Sequence, residues 1–177
     1  MAQPSTSIDA EAQLISRAAA GDVKSFGVLY DRYLNIVYNY VYYRLGTVKD
    51  TEIVTENIFL AVYENLHQFV KKEKSQHFST WVLKLANTEI KRYLKKHPEL
   101  KNRISDDILT KQQEIILNAL RSLDELYYQF IVSRYFNGLS DKETARMIGV
   151  EMDAINLLQL NALQALEKQM KKDGQNG

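Results

Sequence analysis

The amino-acid sequence predicts an all-α protein of two small helical domains joined by a short linker. Turns between strands use glycine and proline, and the chain has only 7 Gly and 2 Pro among 177 residues. Apolar and aromatic residues recur at three-to-four spacing over long stretches, which is the period of an amphipathic helix. A glycine or proline follows several of these stretches, where a helix would end. We therefore expect helices throughout.

The first domain is expected to cover residues 8–97 and to contain four helices. Gly21 separates a short helix from a long one, Gly46 ends the second, and Pro98 stops the fourth. The polar stretch 71–77 lacks periodicity and is predicted to be a loop. The four helices are predicted over residues 7–20, 23–45, 50–70 and 78–97. The apolar positions of the third helix, all expected to face the core, are Ile53, Val54, Ile58, Phe59, Val62, Leu66 and Phe69.

Residues 98–108 are expected to be a linker, and residues 109–172 a second helical domain. Its helices are predicted over residues 110–121, 123–137, 141–148 and 152–171. Ser140 can cap the third of these helices, and Gly149 can supply the left-handed backbone of a tight turn. A short helix, a turn and a longer helix are typical of a helix-turn-helix, although an ordinary helical hairpin has the same pattern.

The net charge of +1 conceals an uneven distribution along the chain. Residues 1–70 hold five basic and eight acidic side chains, and residues 104–177 hold eight basic and eleven acidic ones. Residues 71–103 between them hold ten basic and only three acidic side chains, a local net charge of +7. A cationic stripe of this kind is expected of a phosphate-binding surface, and the alternative is a solvated helix face.

Composition and spacing argue against several classes of protein. The absence of cysteine excludes disulfides, thiolate zinc sites and cysteine nucleophiles, and it fits a reducing compartment. His67, His77 and His97 are scattered, and no metal-ligand spacing, phosphate loop or nucleophile arrangement is present. We expect no enzyme activity, no metal and no cofactor. Since no secretory signal or membrane-spanning run is visible either, we expect a cytoplasmic protein without membrane insertion.

Several segments, taken in order, resemble the small bacterial sigma factors of the extracytoplasmic-function (ECF) group. In the first domain these are Asp50-Thr-Glu-Ile-Val-Thr-Glu-Asn-Ile-Phe59 and Phe78-Ser-Thr-Trp-Val-Leu-Lys-Leu-Ala86. In the second, Phe136-Asn-Gly-Leu-Ser140 is similar to the entry to sigma region 4. Sigma factors of this group are not enzymes. They bind core RNA polymerase, place it at a promoter and help to melt the duplex.

The resemblance implies roles for two sets of residues in the first domain. The polar candidates for contact with core RNA polymerase are Asp50, Glu52, Glu56 and Asn57. The alternative is that they simply form the solvent-exposed face of an amphipathic helix. The helix 78–97 would meet the minus-10 promoter element. Its candidates are Trp81, Lys84, Asn87, Thr88, Lys91, Arg92, Lys95 and Lys96. Lysines and arginine suit phosphates, Asn87 and Thr88 suit base edges, and Trp81 is either a stacking platform or a core residue.

The last helix would enter the major groove at the minus-35 element, but its outward face lacks basic residues. That face consists of Asp153, Asn156, Leu157, Leu160, Asn161 and Gln164. Amides can read adenine edges, yet without phosphate contacts the sequence-independent affinity is weak. The sequence thus predicts a sigma factor whose partners are core RNA polymerase and promoter DNA. The alternative is a sigma-like adaptor that depends on a partner protein for DNA targeting. A separate anti-sigma factor is an expected further partner.

Overall fold

The computed structural model describes residues 7–72, 76–101 and 111–174, and this part of the chain forms eight α-helices without a strand. A 3₁₀ turn at Pro98–Lys101 follows the fourth helix, a π-helical turn at Val132–Phe136 follows the sixth, and a 3₁₀ turn at Met152–Ala154 precedes the eighth. The α-helices are α1 (Ser7–Ala19), α2 (Val23–Leu45), α3 (Val48–Lys72), α4 (Phe78–Lys96), α5 (Lys111–Arg121), α6 (Glu125–Ile131), α7 (Asp141–Ile148) and α8 (Ile155–Gly174). The predicted all-α fold class is confirmed.

Capping groups that are visible in the sequence set several helix ends. The Asp22 carboxylate accepts from the Lys24 backbone N–H at 3.0 Å and begins α2. Ser140 and Glu143 form a reciprocal capping box at the start of α7. Gly46 ends α2 at φ 78°, and an added Cβ would lie 1.7 Å from Arg121 Nη2. The left-handed backbone therefore favours glycine there, and any side chain at this position would also have to displace the Arg121 guanidinium.

Two boundaries around α3 differ from the prediction. The helix begins at Val48 rather than Asp50, because the Thr47 hydroxyl accepts from the Asp50 backbone N–H at 3.2 Å and donates to its carboxylate at 2.6 Å. At its other end α3 continues to Lys72. Residues 71 and 72 are thus helical, and the predicted loop 71–77 was wrong at its start. Residues 73–75 of that loop lie outside the described residues.

The second half of the chain also shows local departures from the predicted helices. The helix predicted over 123–137 is α6 followed by a π turn, in which the Asn137 N–H donates to the Val132 carbonyl at 2.9 Å. The last helix begins with a 3₁₀ turn at Met152–Ala154. Of the predicted linker, residues 98–101 form a 3₁₀ turn, and residues 102–108 lie outside the described residues. The boundaries of the two domains therefore stay a prediction.

The two halves pack against each other around a continuous apolar core. We call residues 7–101 the N-terminal unit and residues 111–174 the C-terminal unit. At one contact between the units, the ring of Tyr40 on α2 meets that of Tyr128 on α6 edge-on, with centroids 5.2 Å apart. Arg44 pairs with Glu125 at 3.0 Å, and its guanidinium carbon lies 3.7 Å from the Tyr128 ring centroid. The units are thus joined by buried aromatic and charged groups together.

A second contact joins α4 to α7. The Thr80 hydroxyl donates to the Arg146 backbone carbonyl at 2.7 Å, so an α4 side chain satisfies a carbonyl in the last turn of α7. Gly149 follows α7 at φ 75°, and a Cβ added there would lie 3.0 Å from the Thr80 methyl carbon. The turn predicted at Gly149 is confirmed, and the structure adds that it packs against α4.

Candidate nucleic-acid interface

Helix α4 has one buried face and one basic face. Phe78, Trp81, Val82, Leu83, Ala86 and Ile90 are buried against the neighbouring helices. Lys84, Thr88, Lys91 and Lys95 follow one another at four-, three- and four-residue intervals and are all exposed. Arg92 and Lys96 are exposed beside this row. We call these six residues the α4 basic face, which presents five positive charges along one helix.

Three side chains of the α4 basic face already have partners. The Lys84 ammonium donates to the Gln76 amide oxygen at 2.6 Å, and the Thr88 hydroxyl donates to the Lys84 backbone carbonyl at 2.9 Å. Arg92 forms an ion pair with Glu89 one turn away. Exposed pairs of this kind are weak, so phosphate can replace them. Asn87 is half-buried.

Trp81 lies in the core of the N-terminal unit. Its side chain is 6% exposed, and its ring centroid lies 4.9 Å from that of Phe69 and 5.6 Å from that of Phe78. Three aromatic rings at these separations pack against one another and leave no free ring face for a base. The assignment of Trp81 to the DNA surface is therefore corrected, and its core alternative describes the structure.

The predicted polymerase-binding residues on α3 fall into two groups. Glu52 and Glu56 are exposed, and Asn57 is half-buried. Asp50 instead ties α3 to α4, because the Tyr93 hydroxyl donates to its carboxylate at 2.7 Å. Burial and this bond to Asp50 raise the pKa of Tyr93 to about 12, so Tyr93 stays a neutral donor. This hydrogen bond therefore links the first turn of α3 directly to α4, the helix that carries the basic face.

Apolar side chains on the outer face of α3 were missed by the sequence interpretation. Leu60 is 56% exposed and Tyr63 is 47% exposed, and both lie within two turns of Glu56. Ile53 was predicted to face the core but is exposed as well. The spacing in the sequence could have shown this. Leu60 falls outside the buried stripe of α3, and Ile53, seven residues earlier, lies on the same side of the helix as Leu60. This face is mixed, with apolar and acidic groups side by side.

Helix α8 divides as the sequence predicts, with an exposed face that lacks basic side chains over its first three turns. Ile155, Leu158 and Ala162 are buried, whereas Leu157 is 63% and Leu160 53% exposed. Asp153, Asn156 and Gln164 are exposed, and Asn161 is half-buried. The apolar surface continues with Leu163 toward a groove against Ile115 of α5.

Neither a metal centre nor a membrane span appears in the described ranges. Within residues 7–72, 76–101 and 111–174, no three histidine or carboxylate side chains come together as metal ligands would. None of the helices in these ranges combines the length and the apolar character that crossing a bilayer demands.

The chain was compared with known protein families and with individual known proteins. The family described as Sigma-70 region 2 matches residues 29–98, from the second turn of α2 to just past the end of α4. The chain is 28% identical over 176 residues to the ECF RNA polymerase sigma factor BldN of Streptomyces coelicolor, covering 91% of this chain and 66% of BldN. It is 24% identical over 180 residues to the ECF RNA polymerase sigma factor SigW of Bacillus subtilis, covering 89% of this chain and 95% of SigW. Residues 29–98 therefore match a sigma-factor domain, and the chain is similar to ECF sigma factors over most of its length.

The fold of the chain is also that of a solved structure. The structure of CnrH in complex with the cytosolic domain of CnrY matches with a TM-score of 0.62 at 20% sequence identity. The match covers 93% of this chain and 99% of CnrH, so it includes both units. The outer face of α3, which carries Glu52, Glu56, Leu60 and Tyr63, and the α4 basic face both lie within the region that matches Sigma-70 region 2. The chain spans 66% of the length of BldN, just under two thirds.

Proposed function

We propose that the chain is an ECF sigma factor that binds core RNA polymerase and directs promoter-specific transcription initiation, with DNA contact mainly through the α4 basic face. The observation that carries the proposal is the row of exposed lysines along α4 inside the matched Sigma-70 region 2. Their opposite face is anchored in the core, so the charges are held on a rigid helix. An enzymatic role forms no part of the proposal, and we expect the protein to act in the cytoplasm.

The physics of the α4 basic face suits a phosphate backbone. Each lysine that neutralises a phosphate releases condensed counterions, which favours binding at low salt. Lys84, Lys91 and Lys95 span eleven residues, about 16 Å of helix at the usual rise per residue. Asn87 and Thr88 lie between these charges and can approach base edges of the minus-10 element. The helix therefore offers affinity along its length and polar groups at its middle.

The outer face of α3 is the proposed contact with core RNA polymerase. Glu52 and Glu56 supply charge, and Leu60 and Tyr63 supply apolar area that water covers poorly. Asp50 has a positioning role here, since its carboxylate accepts hydrogen bonds from Thr47 and Tyr93. The same carboxylate therefore fixes the angle between the proposed polymerase surface and the proposed DNA surface.

Charge reversal on α3 tests the polymerase contact. We expect Glu56→Lys to weaken retention of the full chain on immobilised core RNA polymerase about tenfold, because a like or unpaired charge at an interface costs affinity. Asp153→Lys, which reverses an equally exposed acid on the other unit, is the matched control and should retain the affinity of the parent. Run-off transcription from a promoter library with core enzyme then reports the activity. Equal retention of both variants, or no transcript that depends on the chain, would contradict the proposal.

A second candidate function rests on α8. Its exposed face carries Leu157 and Leu160 and lacks the lysines or arginines that bind phosphates. We infer that the C-terminal unit recognises the minus-35 element weakly, or that it binds a protein which supplies DNA targeting. An anti-sigma factor is the further partner that we propose, as CnrH is seen with the cytosolic domain of CnrY.

Promoter scrambling separates the two candidate functions. In run-off transcription with core enzyme, we expect scrambling of the minus-35 element to lower initiation less than about threefold, because phosphate contacts by α8 are missing. Scrambling of the minus-10 element should abolish it. Salt-sensitive loss of initiation on minus-35 scrambling, together with loss in an Asn156→Ala variant, would show that α8 reads DNA. No initiation without a second protein would favour the adaptor.

A further inference from the structure

A cleft of about 480 Å³ lies where the two units meet at α4 and α7. Residues just before and within the first turns of α4 form one wall, namely Gln76, His77, Thr80 and Lys84. The other wall comes from α7 and the turn that follows it, with Lys142, Arg146, Val150 and Met152. This volume lies within the usual range for sites that bind small molecules, roughly 300–1,000 Å³.

The cleft has an excess of positive charge. Three basic side chains, Lys84, Lys142 and Arg146, line it, and Glu151 is the single carboxylate among the lining residues. In the part of the chain that the structure describes, none of the three cations forms a salt bridge. Glu143, which interacts electrostatically with Arg146, does not line the cleft. A concave surface whose lining carries three cations and one carboxylate concentrates anions, because its low-dielectric walls focus the field.

The walls are held in register by the contact between the units. The Thr80 hydroxyl donates to the backbone carbonyl of Arg146 at 2.7 Å, which places that arginine next to α4. On the α4 wall of the cleft, the Gln76 amide oxygen accepts from the Lys84 ammonium at 2.6 Å and holds it near the start of α4. The Lys84 ammonium and the backbone of α7 that carries Lys142 and Arg146 are thus held in place before any ligand arrives, which lowers the entropic cost of binding.

The lining also determines the class of ligand. Cationic groups on both walls match the oxygens of a phosphate chain, for which arginine offers paired donors and lysine a point charge. Ala145, Val150 and Met152 add an aliphatic wall that can cover an organic group. We propose that this cleft binds a phosphorylated small molecule of nucleotide size, with Lys84, Lys142 and Arg146 holding the phosphates.

Ligand binding here has a consequence for the whole molecule that goes beyond the proposed function. Because each wall belongs to a different unit, the ligand binds only the docked arrangement and stabilises it by mass action. Lys84 belongs to the α4 basic face as well as to the cleft. A ligand in the cleft therefore competes with promoter DNA for this lysine and opposes separation of the units.

Calorimetric titration of the full chain tests the site, with ATP, inorganic pyrophosphate and a poly-glutamate peptide as probes. We expect ATP to bind and to raise the melting temperature, and Lys142→Gln combined with Arg146→Gln to weaken ATP binding about tenfold, because charge-assisted bonds to phosphate are among the stronger ones. The matched control combines Lys24→Gln with Lys49→Gln, two exposed cations outside the cleft. Circular dichroism verifies that both double variants remain folded.

The three probes distinguish the sources of the negative charge. ATP binding tighter than pyrophosphate binding would support a contact of the organic group with Val150 and Met152, and equal affinities would support a site for phosphates alone. Equal loss of ATP binding in the cleft variant and the control would overturn the proposal, as would absence of ATP binding. Poly-glutamate binding tighter than ATP binding would overturn it in favour of an acidic protein segment.

Discussion

Replacing Lys84, Lys91, Lys95 and Lys96 together with glutamine is expected to lower the affinity of the holoenzyme for promoter DNA about a hundredfold or more. Each lysine that binds a phosphate contributes about 0.7–0.9 to the slope of log affinity against log salt, so the slope should fall by about 3. Fluorescence anisotropy with a labelled promoter fragment, repeated over a range of salt concentrations, measures both quantities. The reason is that these four side chains are exposed along one helix, where a phosphate backbone can follow them.

The control for this variant has the same net charge. Lys24, Lys49, Lys168 and Lys172 are exposed and lie outside α4, so their replacement by glutamine should change DNA affinity only slightly. Retention on core RNA polymerase should be unaffected in both quadruple variants, because the proposed contact is on α3. Similar DNA affinities for the two variants would show that the DNA surface lies elsewhere.

Replacing Tyr128 with alanine is expected to lower the free energy of unfolding by about 3–5 kcal/mol, the usual cost of removing a large buried aromatic side chain. Tyr128 is fully buried, its ring meets that of Tyr40, and its hydroxyl donates to the Tyr40 backbone carbonyl. Leu126→Ala on the same helix is the control, because Leu126 is exposed and its truncation should cost little. Denaturant titration followed by circular dichroism gives the values.

The same titration tests whether the two units unfold together. Trp81 is the single tryptophan of the chain and lies in the core of the N-terminal unit, so its fluorescence reports that unit. If docking makes the units cooperative, Tyr128→Ala shifts the fluorescence transition and the circular dichroism transition by the same amount. A fluorescence transition that stays in place while part of the helical signal melts earlier would show independent units.

The helices could be predicted from the sequence because their signals are local. Apolar spacing at three and four residues predicts α2, and Asp22, Gly46, Ser140 and Gly149 act on their immediate neighbours. The start of α3 was missed because Thr47 caps it through a hydrogen bond with Asp50, directly after the glycine that ends α2. The π turn after α6 could not be predicted, because the apolar residues around it keep the spacing of an ordinary α-helix.

The candidate site was predicted in part, for similar reasons. Charge is a property of each residue, so the basic character of α4 and the missing cations of α8 could be read directly. Whether a side chain is exposed depends on partners far away in the sequence. Trp81 is covered by Phe69, and Asp50 is bound by Tyr93, which lies 43 residues along the chain. The contact between Tyr40 and Tyr128 could not be predicted from apolar spacing, because the two residues lie 88 positions apart and the spacing reports only local structure.

The aromatic contact between the units bears on how long a free chain would survive in the cell. If the units separate, Tyr40, Tyr43, Tyr128 and Phe136 lose their partners, and a contiguous apolar area becomes accessible to water. Newly exposed surfaces of this kind promote aggregation, and transiently opened segments are the preferred substrates of proteases. An opened chain would then persist only while another molecule covers that surface. The cellular abundance of the open form would therefore follow the supply of the molecule that covers this surface.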